Sequence, residues 1–120
     1  MNRIQLSHKG GTYSDISPLE ASEILKIRYE GSTNEYWISF EDEYPCLAVM
    51  VKESFGSVTY FAESDIFYQC CGEKTADDIA KFDSAELDSG YTVSDRPALK
   101  AAEEFINTGK RPYCVKWEKL

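Results

Sequence analysis

Residues 44–52 read Tyr-Pro-Cys-Leu-Ala-Val-Met-Val-Lys, and this nearly continuous, valine-rich apolar run constrains the fold more than any other stretch. A run without alternation fits a strand buried on both faces, at the centre of a sheet. The flanking segments alternate instead. Tyr36, Ile38 and Phe40 interleave with Trp37, Ser39 and Glu41. After a hairpin loop expected at residues 53–56, Val58 and Tyr60 fall on one face, Thr59 and Phe61 on the other. Residues 66–71 read as a further strand beyond a bend at Ser64 and Asp65. Short loops between these strands make them antiparallel.

Two helices frame this block. Ser17, Pro18 and Glu20 supply a cap, a first-turn proline and a capping box. Ala21, Ile24 and Leu25, with the stem of Arg28, share the apolar face, leaving Glu20, Glu23 and Lys26 to solvent; the helix should end before Gly31. A second helix opens at residues 94–97 with Leu99, Ala102, Phe105 and Ile106 as its stripe, and Gly109 supplies a left-handed end. Short strands are expected at residues 3–6, at 91–93 and at 113–117. In the last of these, Tyr113, Val115 and Trp117 should face the core. Residues 8–11 read as a turn, and 72–90 as the least structured stretch. Two helices with one stripe each can cover one face of one sheet. The expectation is a two-layer α+β fold, a mainly antiparallel sheet of four to six strands with two amphipathic helices on one face, as one domain over residues 1–120.

Composition narrows the function classes. The hydrophobic fraction of 42%, with 8 Tyr, 6 Phe and 2 Trp, excludes disorder driven by low hydrophobicity. The apolar run at residues 46–51 is too short to span a bilayer as a helix, and the first residues lack the apolar stretch of a secretory signal, so a cytoplasmic protein is expected. Cys46, Cys70, Cys71 and Cys114 form no CxxC pair and lie far in sequence from His8, the one histidine. They read as reduced small hydrophobes, with a disulfide or a reactive thiol as alternatives. There is no phosphate-binding glycine loop, zinc-protease motif, nucleophile elbow or calcium loop. His8 sits in a loop-like stretch without a positioned partner. The adjacent acids Asp77 and Asp78, and Glu103 and Glu104, define no acid–base geometry. No catalytic residue, cofactor or metal is therefore expected, and the chain does not read as an enzyme.

Charge points to a partner class. Lys and Arg number 13 against 21 Asp and Glu, a formal net charge of −8. Nucleic acid and anionic membrane would both repel such a surface, whereas a basic protein would not. From residue 63 to 95 there are nine acids and two bases, and Glu41, Asp42 and Glu43 form a second cluster. A solvated face explains such a run without function. A docking surface explains it with function, since the acids alternate with aromatics that could anchor a partner. The candidate contacts are Glu63, Asp65, Asp77, Asp78, Phe82, Asp83, Glu86 and Asp88. On this reading binding weakens with salt, and charge reversal at Asp77, Asp78 and Asp83 slows association. The pairs Tyr36–Trp37 and Tyr60–Phe61 could line a pocket, or place one ring of each pair in the core and the other on the opposite sheet face.

The C-terminal third carries a resemblance. Residues 97–118 read PALKAAEEFINTGKRPYCVKWE: a helix with Glu-Phe, then Thr-Gly-x-x-Pro, then a strand with Trp and an acid. This is similar to the ending of the first immunity-protein family of bacterial polymorphic toxin systems, and the strand at 44–49 followed by Val58-Thr59-Tyr60-Phe61 resembles that family's hairpin. The resemblance implies a small cytosolic antitoxin made beside a secreted or contact-delivered toxin, often a nucleic-acid deaminase or nuclease, as in contact-dependent inhibition. It implies stoichiometric binding that occludes the toxin's active site. The family's marked Glu and Trp correspond to Glu104 and Trp117, with Phe105, Gly109 and Pro112 completing the structural motif. A small acidic ligand-binding or adaptor domain without catalytic activity is the alternative.

Overall fold

The computed structural model describes residues 3–8, 11–27, 33–52, 55–71 and 93–119. The valine-rich run becomes β4 (Cys46–Lys52), and it is indeed central. Around it lie β1 (Ile4–His8), β2 (Gly11–Ile16), β3 (Asn34–Ser39), β5 (Phe55–Glu63), β6 (Ile66–Cys71) and β8 (Lys116–Lys119), in the order β2-β1-β3-β4-β5-β6-β8. All neighbours are antiparallel, and the two-residue β7 (Val93–Ser94) pairs with the start of β5. Among the described residues the helices are α1 (Pro18–Ile24) and α2 (Asp95–Thr108). The α+β class and the antiparallel sheet are as expected. The seven strands in line slightly exceed the expected four to six, and the unexpected one is β2, which is mostly exposed and carries little apolar patterning.

One face of the sheet makes the core. Leu6, Ile38, Leu47 and Tyr60 are register partners across β1, β3, β4 and β5, and Tyr36, Val49 and Val58 form the next row. Ala98, Ala101, Ala102, Phe105 and Ile106 of α2 recur at helical spacing and close over them as one cluster with Ala21, Ile24 and Leu25. Phe105 packs edge-on to Tyr60 and tilted to Phe40, with centroids 6.0 and 5.3 Å apart. Ser22 Oγ donates to Glu103 Oε1 at 2.5 Å and ties the helices together.

Two local expectations need correction, while helix α1 ends at Ile24, ahead of Gly31 as expected. Its capping box forms, with the Ser17 hydroxyl accepting from the Glu20 N–H and the Glu20 carboxylate accepting from the Ser17 N–H, both at 3.2 Å. At the other end, the Tyr36 hydroxyl of β3 donates to the Ile27 carbonyl at 2.5 Å, a tertiary bond from the core face of the sheet. Arg28 lies outside the described residues. His8 is not in a turn. It is buried as the last residue of β1, stacked 4.3 Å from the Tyr36 ring, with Nε2 3.3 Å from Asn34 Oδ1. The alternation that buries Ile4 and Leu6 carries it to the same face. Tyr113 is 90% exposed rather than in the core, because β8 begins at Lys116 rather than at residue 113, whereas Val115 and Trp117 pack against the core as expected.

Candidate functional site

The motif behind the family resemblance assembles into one junction between α2 and β8. Gly109 ends α2 at φ 69°, and its N–H donates to the Phe105 carbonyl at 2.8 Å. That conformation favours glycine. The Glu104 carboxylate accepts the Tyr113 N–H and lies close enough to the Cys114 thiol to act on it electrostatically. Burial raises the pKa of Cys114, and the Glu104 charge raises it further. The Trp117 indole donates from Nε1 to the Pro112 carbonyl at 2.7 Å, while its ring packs 6.3 Å from Tyr60. Arg111 lies over the Tyr68 ring at 4.2 Å, a cation–π contact. Glu104, Phe105, Gly109, Pro112 and Trp117 thus act on each other and on the core. The adjacent acids Glu103 and Glu104 serve separate bonds, one to α1 and one to the segment before β8.

Beside this junction is an open cleft of about 280 Å3, lined by Phe40, Glu41, Asp42, Tyr44, Pro45, Thr108, Gly109 and Lys110. Its acidic wall is the loop from β3 to β4.

The register carries that loop to a second acidic segment. Cys46 opens β4 opposite Phe61 of β5, and Phe61 lies opposite Phe67 of β6. The chain entering β4 and the turn from β5 to β6 therefore occupy the same end of the sheet. Glu41, Asp42 and Glu43 there join Glu63 and Asp65, and all five side chains are exposed. Of the candidate contacts read from sequence, Glu63 and Asp65 sit at this end. Asp77, Asp78, Phe82, Asp83, Glu86 and Asp88 lie outside the described residues.

The sheet face opposite the helices adds an aromatic row. Trp37 and Phe61 stack with centroids 5.8 Å apart, and Phe61 meets Phe67 at 5.5 Å. Trp37 is 44% exposed. The pairs Tyr36–Trp37 and Tyr60–Phe61 divide as alternation requires, with Tyr36 fully buried in the core and Tyr60 packed against it. Farther along the same face the surface closes. Gln69 Nε2 donates to Ser57 Oγ at 2.8 Å, Thr59 Oγ1 donates to Gln69 Oε1 at 2.6 Å, and Ser57 and Gln69 are buried. Sequence reading expected one ring of each pair in the core and the other on the opposite face, without joining the outward rings to each other or to the acids of the β3–β4 loop. The signal existed in the strand register, which requires knowing which strands pair.

Among the described residues, no group of three or more His, Cys, Asp or Glu is placed to hold a metal ion, and no helix is long and apolar enough to cross a membrane. No protein-family model matches the chain, and no curated protein matches it significantly.

Proposed function

We propose that this chain is an immunity protein, a cytoplasmic antitoxin that binds a cognate basic toxin stoichiometrically and covers its active site. The toxin acts on nucleic acid, as a deaminase or nuclease, so its site must attract phosphate. The observation that carries the reading is the gathering of Glu41, Asp42, Glu43, Glu63 and Asp65 at one end of the sheet, on a chain of net charge −8. Carboxylates held there oppose a cationic channel and accelerate encounter. The resemblance of residues 97–118 supplies the toxin class. The chain itself performs no chemistry and takes no cofactor.

The cleft between the β3–β4 loop and the end of α2 favours a second reading, a small-ligand or adaptor domain. Co-expression with the product of the gene immediately upstream separates the two. Rescue of growth and co-purification at equal stoichiometry support the antitoxin. Two soluble proteins that neither associate nor restore growth overturn it.

A further inference from the structure

The aromatic row, exposed at Trp37 and part-buried at Phe61 and Phe67, adjoins the acidic sheet end, and together they have the make-up of a protein interface. Phe61 belongs to both: it contacts Trp37 and Phe67 across the sheet, and its register partner Cys46 is reached through the acidic loop. Both described helices lie on the other face, where the described core is built. Trp37, a large ring 44% exposed amid this row, is the kind of side chain that dominates interface energies when a partner buries it. Glu35, two residues before Trp37 on the same face, extends the negative rim away from the β3–β4 loop. On the described part of this face the bases are Arg3 just before β1, Lys52 in β4 and Lys116 in β8, all outside the row. An apolar centre with a rim of one charge sign is complementary to a basic protein surface carrying an apolar patch.

We infer that the β3–β5–β6 face around Trp37, Phe61 and Phe67, with the Glu41–Asp42–Glu43 loop as its rim, is the surface that seats the basic protein partner. This rests on the antitoxin reading and names its contact face. Trp37 anchors, so its loss speeds dissociation. The loop acids steer, so their loss slows association and flattens its salt dependence.

The test uses the full chain and the upstream gene's product, with binding kinetics measured at low and moderate salt. Trp37→Thr is expected to weaken binding about tenfold or more through faster dissociation. Trp37→Thr can disturb the sheet, so its urea midpoint is measured alongside. The triple reversal Glu41→Lys, Asp42→Lys, Glu43→Lys alters only exposed loop positions and is the second arm. It is expected to slow association about tenfold at low salt. Glu23→Lys on α1, on the opposite layer, is expected to leave both rates within about twofold. If the native pair binds and the loop reversal leaves association unchanged, the face is wrong while the antitoxin reading stands. The face is equally wrong if Asp77→Lys, Asp78→Lys, Asp83→Lys alone slows association. A homodimer abolished by Trp37→Thr would assign the row to a second copy and overturn the inference. If the native pair does not bind, the antitoxin reading and this face fall together.

Discussion

At the scale of single residues, Glu104 and Gly109 show how a recognisable motif can belong to the fold rather than to a partner. Glu104 holds the Tyr113 N–H, a charge-assisted bond across the turn. Glu104→Gln keeps the shape and loses the charge, and should cost about 1–2 kcal/mol in urea unfolding while leaving the shape of the far-UV spectrum unchanged. A Cβ at Gly109 would meet the Phe40 ring at 3.6 Å, an ordinary contact, so space is not the constraint there. The positive φ is: Gly109→Ala should cost about 1 kcal/mol and Gly109→Asn less, because Asn tolerates the left-handed region. Cys46 offers a pH test. Burial lifts its thiol from 9.0 to about 11, a hydrogen bond with the Ile38 backbone opposes the shift, and the Glu43 charge adds to it. The unfolded chain then releases this proton near pH 9 and the folded chain near pH 11. Stability is unaffected below that window and falls across it. The urea midpoint should drop between pH 9 and 11, and Cys46→Ala should lessen that drop. At pH 8 the folded Cys46 thiol should alkylate far more slowly than in urea.

Elements differ in how they are held. Helix α1 has seven residues, too few to stand on propensity, and depends on its reciprocal cap and on Ala21 and Ile24 in the core. Ser17→Ala removes one half of the box and should cost about 1 kcal/mol in thermal or urea unfolding. Restoring the cap with Asp should recover most of it. The edge strand β2 is the opposite case. It pairs with β1 through backbone bonds and a bulge, where Asp15 takes φ 55° and accepts from Gln5 Nε2 at 3.2 Å while Arg3 donates to its carbonyl at 3.0 Å. Only Ile16 of its six residues is buried, so alternation left no trace there. Helix α2, by contrast, advertised itself with a stripe and a terminal glycine, and it spans Asp95–Thr108 as the pattern required.

At the scale of the sheet, the described helices build one apolar interior on one face, and the other face carries aromatic side chains around the exposed Trp37 and ends in acids. That arrangement makes charge a matter of position as well as of total. If the partner seats there, its association rate should fall steeply as salt rises from about 50 to 500 mM, since exposed charges are screened beyond roughly a Debye length. Dissociation, governed by buried aromatic contact, should change much less. A salt-independent association rate would remove electrostatic steering from the account.

Local rules were enough to locate β3 to β6, the capping box and the end of α2, because alternation, helical spacing and caps act within a few residues. They also divided Tyr36 from Trp37 and Tyr60 from Phe61. They were insufficient for β2 and for the start of β8, which are held by backbone pairing that side chains do not announce. His8 lay in a stretch that reads as a turn until the strand it ends is known. The acidic site was half legible: Glu63 and Asp65 stood in a conspicuous run, but about twenty residues separate them from Glu41, Asp42 and Glu43. Only pairing of β4 with β5 brings the two groups to one end, because strand register converts distance along the chain into proximity in space.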